Sequence, residues 1–169
     1  MTVFLNEAGA AQAQMLSPHF SRAELEHSDT AIAHGIPNLM GPDELRAAAA
    51  WCINIGEPIR QHFGVPVKLN SFYRCPKVNA LVGSRPGSQH ERGEAGDIEL
   101  PPISNVDVAR WIASSTLNFD QLILEAYHQG QPSSGWVHVS HRLVGNGRRQ
   151  VLTMVMAAHG PVYLPGLQP

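Results

Sequence analysis

The chain has 169 residues, of which 43% are hydrophobic and 15% are charged, and its formal net charge is -2. This size and composition are typical of one globular domain and exclude a disordered chain. The weak net charge gives no electrostatic reason to expect nucleic acid as a partner. The sequence has no run of about 18 apolar residues, so membrane insertion is not expected.

The N-terminal part predicts an arm and then a helix. Residues 1–16 are expected to form a flexible arm, and residues 17–169 a single domain. Within that domain, the Ser-x-x-Glu pattern of Ser21 to Glu24 is typical of a capping box at a helix start. It predicts a helix over residues 22–34 that Gly35 closes.

A second, longer helix is predicted after Pro42, which a first helical turn tolerates. Its apolar residues recur at helical spacing as far as Phe63, so it should be the main core helix. Gly56 and Pro58 should kink this helix or split it in two.

The rest of the chain predicts mainly strands. The expected elements are a strand over 65–71, a short helix over 77–82, a strand over 97–100, a helix over 105–116, strands over 119–127, 135–141 and 149–157, and a final edge strand with a tail over 161–169. Helices gathered first and strands gathered last indicate an α+β fold, with a mostly antiparallel sheet packed against N-terminal helices.

The candidate chemistry begins at His90 and Asp97, which are both competent metal ligands. Gly93, Ala95 and Gly96 lie between them, and such small residues let a loop fold tightly and return a second ligand to the same ion. The segment is not a helical HExxH motif, so we expect ligands from a loop and from the start of a strand.

His138, in the strand over 135–141, is the natural third ligand. Taken alone, a strand histidine is more often packed or solvent-facing, and Asp97 could be a turn acceptor. As a set, two histidines and one carboxylate leave an open position for the water of a catalytic zinc, so Zn²⁺ is the predicted cofactor. The facial triad of iron oxygenases is the alternative with the same ligand types.

Three segments together resemble the LAS metallopeptidases, the superfamily of D-Ala-D-Ala carboxypeptidases, vancomycin-resistance dipeptidases and phage L-alanyl-D-glutamate endolysins. They are Ser88-Gln89-His90 with Asp97, Trp136-Val137-His138, and the SFYR segment over residues 71–74. The resemblance runs from about residue 16 to residue 155. Segments near residues 16–31 and 119–125 also resemble the carboxypeptidase-like branch that is common in phages and prophages.

The resemblance implies a role for each matching residue. His90, Asp97 and His138 would be zinc ligands. Arg74 would stabilise charge on the carboxylate of the substrate or on the oxyanion. Ser88 would orient the substrate or the loop of His90. The simpler alternatives are a surface arginine beside a proline turn and an ordinary loop-capping serine.

One position departs from the pattern. Endolysins and dipeptidases of the superfamily usually carry a glutamate three residues before the last histidine as general base, and here Gly135 stands there. We expect Glu125, at the end of the preceding strand, to act as the base instead.

Other candidates for the base are less favoured. Asp120 should point to the opposite face of the strand from Glu125, since five residues separate the two. His141 should face away from the metal, His128 could reach in from its loop, and Glu91 is expected to be a solvated charge.

These assignments imply a zinc peptidase that cuts peptidoglycan stem peptides, as a D-Ala-D-Ala carboxypeptidase or an L-Ala-D-Glu endopeptidase in phage or prophage lysis. The N-terminus lacks the features of a signal peptide. We therefore expect a monomer made in the cytoplasm that acts on the wall after release or as part of a virion. The alternative is a non-catalytic phage structural or wall-binding module that keeps the fold.

Overall fold

A computed structural model describes residues 14–168 of the chain. In chain order the elements are β1 (Met15–Ser17), β2 (Phe20–Ser21), α1 (Arg22–Glu26), α2 (Asp29–Ala33), α3 (Pro42–Trp51), a π-helical turn (Cys52–Gly56), α4 (Glu57–Phe63), β3 (Lys68–Ser71), α5 (Pro76–Leu81), β4 (Ala95–Glu99), α6 (Asn105–Ser114), β5 (Gln121–Glu125), β6 (Trp136–Ser140), β7 (Gln150–Ala157) and β8 (Gly160–Pro165). The α+β class predicted from the sequence is confirmed.

The predicted N-terminal arm lies largely outside the described residues, which begin at 14. The last residues assigned to the arm belong to β1, in which Met15 pairs with Ser21 of β2 in a small antiparallel sheet. The short β1–β2 sheet was not predicted.

The helix predicted over 22–34 is two short helices. Ser21 caps α1 by accepting a hydrogen bond from the backbone N–H of Glu24, as the capping box predicted. Ser28 then caps α2 in the same way, accepting from Ala31. A single helix is therefore wrong here, because the side chain of Ser28 satisfies a backbone donor that would otherwise belong to a continuing helix.

The long core helix is interrupted where Gly56 and Pro58 predicted a break. The interruption is the π-helical turn over Cys52–Gly56, which joins α3 to α4 without a gap. Such a turn absorbs the hydrogen bond that Pro58 cannot donate. Gly56 also needs to be small, since a Cβ there would lie 2.8 Å from the rings of Phe20 and Trp51.

The main sheet has six strands in the order β3-β4-β6-β5-β7-β8. Its neighbours are antiparallel except for β5 and β7, which run parallel. The sheet is therefore mixed, and β8 lies at its edge as predicted. The parallel pair arises because β6 and β7 lie on opposite sides of β5, so the connection between them passes the end of that strand.

The two faces of the sheet have different surroundings, since one packs in the hydrophobic core and the other carries the candidate site. On one face, Ile98, Val137 and Leu124 are fully buried and pack with the helices in the hydrophobic core. The indole N–H of Trp51 donates to the carbonyl of Val139 at 2.9 Å and ties α3 to the central strand β6. Because side chains alternate along a strand, the intervening residues point to the other face, where the candidate site lies.

Within residues 14–168, no helix is both long enough and apolar enough to cross a membrane.

Candidate metal centre

A row of side chains crosses the face of the sheet that lies opposite the hydrophobic core. The register aligns Asp97 of β4 with His138 of β6, His138 with Ile123 of β5, and Ile123 with Leu152 of β7. Directly paired residues point to the same face, so these four side chains lie side by side. Asp97 and His138 form one end of this row.

His90 joins this end from the turn that precedes β4. Its Nε2 atom lies 3.4 Å from Oδ1 of Asp97, and Nδ1 of His138 lies 3.0 Å from the same oxygen. All three side chains are buried, and the three ligand atoms lie within 4.8 Å of one another. Ligands bonded to zinc at about 2.0–2.1 Å in tetrahedral geometry lie about 3.3 Å apart, and the separations of 3.4 Å and 3.0 Å from Asp97 are close to that value.

The second ring nitrogen of His90 supports the same assignment. Nδ1 lies 2.6 Å from the carbonyl oxygen of Phe72, which only accepts hydrogen bonds. Nδ1 must therefore carry a hydrogen, so Nε2 is the ring nitrogen that can give up its hydrogen and bind a metal ion beside Asp97. Metal-binding histidines are commonly oriented by such a contact to a backbone carbonyl.

The Asp97 carboxylate is the charged ligand of the set. Burial by itself would raise the pKa of Asp97, but the adjacent His90 and His138 outweigh burial and hold the pKa well below its ordinary value. The carboxylate therefore stays ionised inside the protein, which is the form that binds a cation.

Two of the small residues between His90 and Asp97 must be glycine, each for a different physical reason. Gly93 has a φ of +66°, and a Cβ there would lie 2.6 Å from the carbonyl oxygen of Glu44. At Gly96 a Cβ would lie 2.8 Å from the ring of Trp51. The expected tight loop is present, and it packs directly on α3.

Arg74 lies in the wall of the cleft and contacts the candidate ligand set. Its Nη2 donates to Oδ2 of Asp97 at 2.6 Å, and its Nε donates to Oγ of Ser71 at 2.8 Å. Arg74 therefore holds one carboxylate oxygen of Asp97 and leaves the other toward the histidines, a contact that the sequence did not predict. Its predicted role in stabilising substrate charge stays a prediction.

Ser88 organises the turn that carries His90. Its hydroxyl donates to Oδ1 of Asn79 at 2.8 Å and accepts from the backbone N–H of Glu91 at 3.3 Å. The carboxylate of Glu91 accepts a hydrogen bond from the backbone of Gly87 in an exposed contact. Ser88 also lines the cleft, so its predicted contact with the substrate stays a prediction.

Glu125, the expected base, lies at the end of β5 on the cleft face, opposite Trp136 of β6. It lines the same cleft as the three candidate ligands. Burial raises the pKa of Glu125 above its ordinary value, and the charge of Asp97 adds to this shift, whereas His138 and Arg74 act in the opposite direction. A carboxyl whose pKa is shifted toward neutrality is suited to exchange protons.

The other proposed bases lie in different places. Asp120 lies in the cleft wall, so its predicted position on the opposite face is wrong, because it precedes β5 and does not follow the alternation of that strand. His141 faces away, as predicted, with Nδ1 3.0 Å from the carbonyl of Asn118. His128 is exposed in its loop and does not line the cleft.

Gly135, the departure from the pattern, is fixed by the connection between β5 and β6. It has a φ of +64°, and a Cβ at this position would lie 1.7 Å from the carbonyl oxygen of Glu125. The side chain of Asn105 donates to the carbonyl of Gly135 at 2.9 Å and holds the connection in place. A glutamate at position 135 is therefore incompatible with the present path of β5.

The cleft has a volume of about 830 Å³ and extends from the candidate ligands to the last two strands. Leu152 of β7 and Tyr163 of β8 form its far end, and Gln89 and Arg148 form part of its wall. The sequence did not single out these residues. Gln89 stands next to His90, but nothing in its spacing indicates a partner, and the other three are brought to the cleft only by the strand order.

Comparison with known protein families gives a match. A family model described as Peptidase M15 matches residues 18–140. The matched range contains the three candidate ligands, Arg74 and Glu125, whereas Arg148, Leu152 and Tyr163 lie beyond it. A search of curated proteins finds no match.

Proposed function

The chain belongs to the peptidase M15 family of metallopeptidases, and from this premise we propose that it hydrolyses peptide bonds in peptidoglycan stem peptides, with a zinc ion held by His90, Asp97 and His138.

One observation carries this proposal. Two histidine nitrogens and one carboxylate oxygen are already gathered within 4.8 Å on buried side chains that border an open cleft. Three protein ligands and an accessible fourth position are the arrangement of a catalytic zinc. A site that only stabilised the fold would be expected to close the fourth position with another side chain.

A zinc ion bound there would supply Lewis acidity toward a peptide carbonyl and would make a water molecule more acidic. Glu125 would accept the proton of the attacking water on a carboxylate oxygen and would then donate it to the nitrogen of the leaving amine. Arg74 would keep Asp97 oriented through Oδ2 and place positive charge beside the reacting carbonyl.

The lining of the cleft supports a peptide substrate that carries carboxylates. Four arginines, four acidic residues and the apolar Ile123 and Leu152 are among the residues that line the cleft. Stem peptides are short and extended, and they carry free carboxylates that arginine binds well. We infer that the reaction is of the D-Ala-D-Ala carboxypeptidase or L-Ala-D-Glu endopeptidase type, in phage or prophage lysis, by a monomer that meets the wall after release or within a virion.

Digestion of purified peptidoglycan with zinc-loaded protein tests this proposal. We expect defined peptide fragments in the mass spectrum, no fragments after chelation of the metal, and recovery when zinc is restored. Asp43→Asn, at an exposed position on α3, serves as the control for handling and folding. Release of no fragment by a zinc-loaded, folded protein would contradict the proposal.

Gly135 favours one second candidate, a wall-binding or structural module that retains the metal without cleavage. Co-sedimentation with intact peptidoglycan, in the absence of any released fragment, would support that candidate. Metal analysis of the purified protein also separates zinc from the iron of an oxygenase site.

A further inference from the structure

His138 has a second polar contact, on the side of its ring away from Asp97. Its Nε2 atom lies 3.0 Å from Oε1 of Gln89. The amide nitrogen of Gln89 in turn donates to Oδ2 of Asp120 at 3.0 Å. Asp120 is itself buried, at 3% exposure.

Arg148 fixes the direction of these hydrogen bonds. Its Nη2 donates to Oδ2 of Asp120 at 2.7 Å, and its Nε donates to Oδ1 at 3.0 Å. The backbone N–H of Arg148 also donates to Oδ1, at 3.1 Å. Burial by itself would raise the pKa of Asp120, but these contacts with Arg148 outweigh it and lower the pKa. An ionised carboxylate only accepts hydrogen bonds, so Gln89 must present its NH₂ group to Asp120.

The amide of Gln89 then has one orientation. With its nitrogen committed to Asp120, its oxygen faces His138 and can only accept, so Nε2 of His138 must carry the hydrogen. Nδ1, the atom 3.0 Å from the ionised Asp97, is then the ring nitrogen whose hydrogen a metal ion can replace. The other orientation of Gln89 would place the lone pair on the wrong nitrogen.

We propose that Gln89, Asp120 and Arg148 form a positioning relay that fixes the tautomer of His138 and directs Nδ1 to the metal. The assignment of Nδ1 as a zinc ligand rests on the proposed function. The carbonyl of Phe72 does the same for His90, but that contact belongs to the backbone, whereas the relay consists of side chains that can be changed singly. Arg148 lies beyond the residues that the family model matches.

The relay is tested by two single variants that act on the amide in different ways. Gln89→Leu removes the acceptor of His138. In Asp120→Asn, the side-chain oxygen should stay with the two donors of Arg148 on Oδ1, which leaves an NH₂ group toward Gln89 and turns that amide around. In both variants we expect zinc to bind about 10- to 100-fold more weakly in chelator competition.

The ring nitrogens of His138 report the mechanism directly. Long-range ¹H–¹⁵N NMR spectra of the wild type should show hydrogen on Nε2 both with and without zinc, because only the hydrogen on Nδ1, beside the ionised Asp97, is replaced by the metal. They should show a mixture in Gln89→Leu, and hydrogen mainly on Nδ1 in Asp120→Asn. Gln61→Leu and Asp43→Asn change the same residue types at exposed positions and should match the wild type in both measurements.

A double variant separates positioning from folding. In Gln89→Glu with Asp120→Asn, the amide of residue 120 donates to one oxygen of residue 89, and the other oxygen accepts from Nε2 of His138. The donor and acceptor order is restored, so most of the lost zinc affinity should return.

Two outcomes would overturn the relay. One is zinc affinity and a His138 nitrogen pattern in Gln89→Leu that equal those of Gln61→Leu. The other is weak binding in all three variants with an unchanged nitrogen pattern, which would mean that the substitutions only disturb the fold. If the wild type binds no zinc, the proposed function fails, and the nitrogen pattern of the metal-free protein still decides whether the relay sets the tautomer.

Discussion

The two ends of the cleft are built on different principles. At the metal end, His90, Asp97 and His138 are buried, and each has a second polar atom committed to another part of the protein. Outside the ligand set, Glu125 is half-buried and belongs to no ion pair within residues 14–168, and at the far end Tyr163 is 51% exposed. The comparison teaches that the side chains that would hold an ion are fixed by other hydrogen bonds. The polar groups of Glu125 and Tyr163, in contrast, stay available to hydrogen-bond a substrate.

The largest expected effect is the loss of metal binding when one candidate ligand is removed. His90→Ala removes one of three ligands, so we expect the protein to lose zinc at micromolar total metal and cleavage to fall to background. Metal content by mass spectrometry and peptidoglycan digestion measure the two effects together. Retention of both zinc and cleavage would exclude His90 as a ligand.

The next largest effect removes the expected base and spares the metal. Glu125→Gln removes a proton acceptor without changing the size of the side chain. We expect cleavage to fall by about 10²- to 10⁴-fold, the usual contribution of a general base, while zinc content stays at the wild-type level. Unchanged cleavage would assign the base to another residue.

Gly135→Glu asks whether the usual position of the base can be restored. We expect the free energy of unfolding to fall by at least about 1–2 kcal/mol, because a side chain at positive φ is strained and here also meets the carbonyl of Glu125. Gly130→Ala is the matched control, since Gly130 has a φ of +78° with open space around it. Denaturant unfolding should show a larger loss at position 135, and increased cleavage there would contradict the clash.

Tyr163→Ala tests whether the far end contacts the substrate. A contact from one exposed aromatic ring is worth about 1 kcal/mol, so KM should rise roughly fivefold, with kcat little changed. Steady-state kinetics on a soluble stem peptide measure both constants. A fall in kcat at unchanged KM would place Tyr163 in the chemical step instead.

The smallest expected effect concerns stability without metal. Because the pKa of Glu125 is raised in the folded state, the folded protein binds more protons than the unfolded chain above the ordinary value of 4.5. Its stability therefore falls as pH rises from 4.5 to the folded pKa. Glu125→Gln avoids this loss, so the metal-free variant should melt above the wild type at pH 7 and close to it at pH 4. A constant difference between these pH values would contradict the shift.

Local signals in the sequence predicted a good part of the fold. The capping box at Ser21, the short α5, the amphipathic α6 and the edge strand β8 depend on neighbouring residues, and the structure confirms them. The break at Ser28 was missed, because the sequence pattern does not show which of two side-chain caps a segment uses. The parallel pairing of β5 with β7 is a non-local choice that alternation within each strand does not encode.

In the candidate site, too, the residues in local motifs were predicted, whereas those brought together by the fold were not. The three candidate ligands were predicted because a short motif and a strand carry them. The predicted position of Asp120 was wrong, since Asp120 lies just before β5 and does not follow the alternation of that strand. The relay through Arg148 depends on contacts between residues that are far apart in the chain. Only the folded arrangement of the strands brings them together.

The buried and preassembled ligand set also has a calorimetric consequence. Proteins that fold around their metal bury apolar surface when the ion binds, and their heat capacity falls markedly. Here the central strand β6 lies between β4 and β5, and the pairing of these strands and the hydrophobic core beneath them hold the ligand positions independently of the ligand side chains. Titration of the metal-free protein with zinc should therefore release heat with a heat-capacity change near zero, as expected when an ion binds to a domain that is already folded.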